Sequence, residues 1–113
     1  MTRNIEPYLT LADYQKASLR TMPPVIDTEQ KLILALGLNG EAGELGELLK
    51  KHYGHGIPLD PAKLASELGD VLWYLAAIAT AHGIDLNAVA RGNIWKLRQR
   101  YPDGFHPGGG DVR

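Results

Sequence analysis

Apolar residues recur at helical spacing in four stretches, and none of the segments between them alternates with the period of two that a strand requires. The first stretch opens at Thr10-Leu-Ala-Asp13, a capping-box variant, and runs to about Thr21, where Pro23-Pro24 stops it. A second opens at Asp27-Thr-Glu-Gln30, a better capping box, and carries an apolar face through Leu34, Leu38, Leu45 and Leu48. It is expected to end at Lys50-Lys51, because positive charge suits a helix C-terminus. The segment Gly54-His-Gly-Ile-Pro-Leu59 reads as a loop, and Asp60-Pro61 then supplies an N-cap and a first helical residue for the third helix, which Gly83 closes. Asp85 caps a fourth helix from Leu86 to about Arg100. The chain is therefore expected to be all-α, a four-helix bundle of antiparallel helices over residues 1–105. Residues 106–113, rich in Gly and with little apolar surface, are expected to form a flexible tail.

Composition narrows the chemistry. At 113 residues, with 44% hydrophobic and 22% charged, the chain suits a single globular domain that buries roughly two-thirds of its unfolded surface. No Cys is present, which fits a reducing cytosol and excludes thiolate nucleophiles, Cys-ligated zinc and iron–sulfur clusters. A net charge of −1 leaves no electrostatic footprint for DNA or RNA. The start, MTRNIEPYLTLADY, lacks the pattern of a secretory signal, and no run reads as the ~18 apolar residues of a membrane span, so a cytoplasmic protein without a membrane partner is expected. Gly108-Gly109-Gly110 is not a phosphate loop, since no strand precedes it and no helix follows.

Four carboxylates carry the functional signal. At about 100° per residue, Glu41 and Glu44 fall on the same side of the second helix as Leu34, Leu38, Leu45 and Leu48. On the third helix, Glu67 and Asp70 share a face with Leu64, Val71, Tyr74 and Ile78, inside a stretch apolar nearly all round that is expected to be buried. An ionised carboxylate there costs several kcal/mol unless paired, and clustered carboxylates raise one another's pKa. Lys31 is the only Lys or Arg between Gln30 and Leu49, and none lies between Lys63 and Arg91, so local ion pairs are not expected to neutralise them. A single acidic i, i+3 pair is ordinarily a solvated face, but two such pairs on apolar faces of adjacent antiparallel helices point to a hard divalent cation.

These segments resemble a known family. Glu41-x-x-Glu44, twenty-two intervening residues and Glu67-x-x-Asp70 are similar to the signature of the MazG-like all-α nucleoside triphosphate pyrophosphohydrolases, a group that includes all-α dUTPases, a dCTP pyrophosphatase and phosphoribosyl-ATP pyrophosphatase. Gly37-Leu-Asn-Gly-Glu-Ala-Gly-Glu-Leu-Gly-Glu47, Glu67-Leu-Gly-Asp-Val-Leu-Trp-Tyr-Leu75 and Asn93-Ile-Trp-Lys-Leu-Arg-Gln-Arg-Tyr-Pro-Asp-Gly-Phe105 also resemble MazG-like segments in the expected order. The resemblance spans about Leu9 to Phe105. It implies hydrolysis of a nucleoside triphosphate between its α and β phosphates, releasing a nucleoside monophosphate and pyrophosphate. It also implies Mg2+, with Mn2+ as a substitute, on Glu41, Glu44, Glu67 and Asp70 as metal and catalytic residues, one of which takes the proton of the attacking water. Asn93, Lys96 and Arg100, on one stripe of the fourth helix, are then expected to bind substrate. Homodimers or homotetramers are common in the group, so oligomerisation is expected to complete the bundle.

The remaining candidates are weaker. Glu47 lies about 120° from Glu41 around the helix and reads as an outer or surface residue. Gly40 stands where some relatives carry a second adjacent acid, so a base at that position is not available here. His52 and His55 have a spacing a metal could use but fall in a segment read as exposed. Trp73, Tyr74 and Trp95 read as core or subunit contacts, and Tyr14 and Gln15 as candidates for a base pocket. Gly37, Gly40, Gly43 and Gly46 suggest close approach of another helix. Two other classes compete: a di-iron bundle, which needs His where Glu44 and Asp70 stand, and a catalytically inactive metal-binding or interaction module on the same scaffold.

Overall fold

The computed structural model describes residues 8–105, so the expected tail at 106–113 lies outside the described residues. The chain forms α1 (Leu11–Ser18), followed by a 3₁₀ turn (Leu19–Thr21), then α2 (Thr28–His55), α3 (Pro61–Ala81) and α4 (Leu86–Arg100), with no strand among the described residues. The all-α class and the four helices are as expected from the periodicity.

Each helix starts where a side chain satisfies its first free N–H groups. The reciprocal capping box forms at Thr10, whose Oγ1 accepts from Asp13 N at 3.0 Å while Thr10 N donates to Asp13 Oδ2 at 3.2 Å. At Asp27, expected to be the better box, the carboxylate accepts from Gln30 N at 2.9 Å. Asp60 and Asp85 cap α3 and α4 in the same way. The end of α2 differs from expectation: Gly54 and His55 remain helical, and the chain turns only at Gly56, where φ is +69°. Gly56 tolerates that left-handed conformation, and its N–H reaches back to His52 O at 3.1 Å, so the helix outlasts the lysine pair by a turn. α3 ends in a Schellman motif around Gly83, with Ile84 N donating to Ala79 O at 2.8 Å.

α2 and α3 form an antiparallel hairpin, and α1 lies across α3 and against α4. The hairpin register follows from facing residues: Gly37 meets Tyr74, Glu41 meets Asp70, and Glu44 lies beside Glu67. A small core gathers Ala76, Ala79 and Leu86 with Tyr14 packed on it. Gln15 ties it together: its Nε2 donates to Thr80 Oγ1 at 3.1 Å and to Ile84 O at 2.8 Å, and its Oε1 accepts from Leu86 N at 2.8 Å. Its amide is spent joining α1 to the α3–α4 turn, so it is not free to form a base pocket.

The expected burial of α3 is not met within one chain. Only Ala76, Ala77 and Ala79 are buried, while Leu68 is 51% and Leu75 45% exposed. The reason is geometric: α2 and α1 cover part of its circumference, and its remaining apolar surface faces outward. Leu36 and Trp95 are still more open. The radius of gyration is 17.1 Å, against about 13 Å for a compact chain of roughly 100 residues. By length and composition α3 also passes for a membrane span, with mean hydropathy 1.2, contrary to the reading that no such run exists. Glu67 and Asp70, which face α2, sit in the middle of it.

Candidate active site

The hairpin register brings the two acidic pairs together. Glu41 and Glu44 lie one turn apart on α2, Glu67 and Asp70 one turn apart on α3, and the antiparallel crossing places the pairs on one seam. Glu41, Glu67 and Asp70 each present a carboxylate oxygen, and these three atoms lie within 4.8 Å of one another. Glu44 stands beside this trio rather than inside it.

The electrostatics are those of a site short of positive charge. Oε2 of Glu41 and Oε2 of Glu67 are buried without a hydrogen-bond partner. Leaving a charged acceptor in that state costs more than a routine surface contact returns, so orphaned oxygens of this kind call for an explanation. The Glu41 carboxyl is pushed above its ordinary value, first by desolvation, then by the negative charges of Glu44, Asp70 and Glu67 and by a hydrogen bond shared with Glu44. Three convergent carboxylates with two unsatisfied oxygens are the donor set of a hard divalent cation, which takes oxygen ligands and supplies the missing charge.

Contrary to the expectation that no local ion pair forms, Glu67 has a cationic neighbour on its own helix. Lys63 Nζ lies 3.6 Å from Glu67 Oε1, so a local cation does reach the seam. Lys63 stands four residues before Glu67, and that i, i+4 spacing places the two side chains on one face of α3. Glu47 is exposed and pairs with Lys50 at 3.8 Å, in keeping with an outer position.

Two clefts of about 250 Å³ flank the trio. One is lined by Glu41, Asp70, Trp73 and Tyr74, the other by Glu44, Glu47, Leu48, Lys51, Lys63 and Glu67. In the first, Trp73 and Tyr74 meet edge to face at 5.0 Å between ring centroids, and Trp73 Nε1 donates to Thr21 Oγ1 at 2.7 Å. That bond anchors the 3₁₀ turn to the site. Tyr14 belongs to the same neighbourhood: burial and the Asp70 charge hold its phenol above its ordinary value. Trp73 and Tyr74, read from sequence as core or subunit contacts, are half-buried walls of an acidic cleft.

The fourth-helix residues lie elsewhere in the single chain. Asn93 shares an apolar groove with Leu72 and Leu75, Lys96 is exposed, and Arg100 is half-buried; none of them lines either acidic cleft. His52 Nδ1 bonds Ile57 O at 2.7 Å within the α2 terminus. Of the four recurring glycines, only Gly37 has a close neighbour, the Tyr74 ring. Gly40, Gly43 and Gly46 face open space, so no second helix of the same chain approaches them.

Comparison with known proteins agrees with this geometry. The chain is 37% identical over 84 residues to the Gene 37 protein of Mycobacterium phage L5, covering 71% of this chain and 74% of that one. It is 41% identical over 75 residues to dCTP pyrophosphatase 1 of Rattus norvegicus and of Mus musculus, covering 61% of this chain and 44% of each relative. No solved structure matches. The profile of the MazG nucleotide pyrophosphohydrolase domain matches residues 29–105, a span that contains all four carboxylates, and the chain belongs to that family of nucleotide pyrophosphohydrolases.

Proposed function

We propose that the protein hydrolyses (deoxy)nucleoside triphosphates between the α and β phosphates in a Mg2+-dependent reaction. The products are a nucleoside monophosphate and pyrophosphate, and the setting is the clearing or balancing of the cytoplasmic nucleotide pool. The observation that carries this reading is the convergence of Glu41, Glu67 and Asp70 with two buried, unpartnered carboxylate oxygens. Two relatives named dCTP pyrophosphatase support a deoxynucleotide as one substrate class.

Glu41, Glu67 and Asp70 would hold the cation. When bound, it supplies Lewis-acid polarisation of phosphate oxygens and counter-charge for a substrate bearing about four negative charges. The chain's own residues do the rest. Glu44, which stands beside the trio on the same seam and lines the neighbouring cleft, accepts the proton of the attacking water at its carboxylate. Trp73 and Tyr74 wall one side of the seam and offer a substrate an apolar face beside the carboxylates.

The exposed apolar surface of α2, α3 and α4 supports a homodimer or homotetramer in which a second copy covers Leu36, Leu68 and Trp95. Asn93, Lys96 and Arg100 would bind substrate in that assembly. The same burial accounts for the hydropathy of α3 without a membrane, and the net charge of −1 favours a small nucleotide over DNA or RNA as the anionic partner.

The test is incubation of the purified protein with a panel of ribo- and deoxynucleotides and Mg2+. Equimolar monophosphate and pyrophosphate are expected. Orthophosphate with diphosphate would refute the bond assignment, and a folded, cation-binding protein that releases neither would turn the reading to the inactive module.

A further inference from the structure

The two clefts that share the acidic seam differ in sign. The cleft at the Trp73 end holds Glu41, Asp70, Trp73 and Tyr74, with no cationic side chain. At the other end Lys51 of α2 and Lys63 of α3 line one cleft with Glu44, Glu47, Leu48 and Glu67. Lys63 Nζ is 3.6 Å from Glu67 Oε1, and Lys51 makes no ion pair among the described residues.

Resting on the reading that a triphosphate is the substrate, we propose that Lys51 and Lys63 grip its outer phosphates. Lys63 further serves as the counter-charge of Glu67 until a divalent cation takes that role. Glu67 is divided between two environments, with Oε1 facing the Lys63 ammonium and Oε2 buried without a partner. Glu67 would give its buried Oε2 to a cation held with Glu41 and Asp70, and the Lys63 ammonium, then facing like charge, would be displaced. Only the Lys63 end of this i, i+4 contact is open to solvent, at 61% side-chain exposure against 13% for Glu67, so the lysine stem is free to swing into the cleft that Lys51 already lines while the carboxylate stays in place. Each ammonium offers three donors on a flexible stem, which suits phosphate oxygens. The seam thereby acquires a direction. The anionic tail runs toward the lysines, and the nucleoside runs toward the aromatic cleft, where no cation competes.

The test uses Lys63→Gln and the double variant Lys51→Gln/Lys63→Gln in calorimetric titrations of the full chain. With Mn2+ alone, Lys63→Gln is expected to bind the ion about twofold more tightly, because a competing charge has been removed. With the cation saturating, the double variant is expected to bind inorganic tripolyphosphate at least about tenfold more weakly, while its affinity for a nucleoside monophosphate stays unchanged. Opposite signs for cation and polyphosphate separate this role from a merely structural one. If the wild type releases pyrophosphate from triphosphates and the double variant binds tripolyphosphate as the wild type does, this inference is overturned while the proposed function stands. If tripolyphosphate binding is lost in the variant but the wild type hydrolyses nothing, the lysine grip stands and the proposed function falls.

Discussion

Gly37 is where the hairpin is tightest, and adding a single methyl group there tests the link between packing and the site. A Cβ built on Gly37 falls on the Tyr74 ring, in overlap with Cε1, 2.5 Å from Cζ and 2.7 Å from Oη. The ring cannot yield alone, because it packs edge to face on Trp73, whose indole is bonded to Thr21. Overpacking of this kind costs about 1–3 kcal/mol, and the higher helix propensity of Ala returns up to ~1 kcal/mol. Gly37→Ala is therefore expected to lose about 1–2 kcal/mol net, a fall in Tm of about 5–15 °C for a domain of this size. Tyr74 also walls the cleft that contains Glu41 and Asp70. Its displacement should lower kcat/KM about ten- to a hundredfold, the scale of a misplacement near 1 Å. Thermal unfolding followed by circular dichroism and steady-state pyrophosphate release measure the two effects. Gly40→Ala is the control, since a Cβ there meets nothing within 4 Å and retains only the propensity gain. A Gly37→Ala protein as stable and as active as the control would refute the packing argument.

Three further outcomes follow from other parts of the structure. Because the Glu41 carboxyl is held above its ordinary value, the native state binds more protons than the unfolded chain between the ordinary and the raised pKa. In EDTA, Tm should therefore rise as pH is lowered from neutral toward the ordinary glutamate range, whereas in Mg2+ the ion keeps Glu41 charged and the trend should vanish or reverse. Equal pH profiles in the two buffers would remove the charge-deficit account of the seam. Asp13, held below its ordinary value of 3.8 chiefly by its bonds to Thr10, contributes stability lost only as pH falls below that value, so it does not mask the effect. Glu44→Gln and Asp70→Asn should each abolish turnover in a pyrophosphate-release assay with the helical spectrum intact and the Tm unchanged or raised; turnover at the wild-type rate in both would dismiss the metal and base assignments. Gln15→Ala removes three bonds and leaves the buried Leu86 N–H without its acceptor, so a loss of about 1–3 kcal/mol in chemical denaturation is expected, with cation binding unaffected.

What the sequence revealed, and what it hid, divide along the range of the interactions. Helix starts were legible because Thr10, Asp27, Asp60 and Asp85 cap through bonds that span two or three residues. The end of α2 was misplaced by a turn because a lysine pair is a favourable helix end rather than a stop, whereas Gly56 imposes one through its backbone. The nearness of the two acidic pairs was legible because i, i+3 spacing fixes two carboxylates at a time on each helix and one antiparallel crossing aligns the pairs, whereas the sequence did not reveal that Glu44 stands beside the other three rather than among them. Gln15 was misread because its three partners lie 65 to 71 residues away, beyond any local pattern.

The apolar girdle of α3 separates what a sequence can specify from what it leaves open. Periodicity states how much of a helix circumference avoids water; it does not state whose side chains cover it. Within one chain α1 and α2 bury three alanines of α3 and leave Leu68 and Leu75 about half exposed, while α4 packs on α1. A thin hairpin of this kind can carry four carboxylates because its acidic seam lies between only two helices, open at both ends to water and ions. A fully packed four-helix core would bury the same four charges on all sides at a higher desolvation cost, which more bound positive charge would have to offset. The openness that leaves apolar residues uncovered is thus the same property that lets the acidic seam stay charged and accessible. A surface that covers Leu68 and Leu75 must leave the Lys51–Lys63 and Trp73–Tyr74 ends of the seam uncovered for substrate to enter.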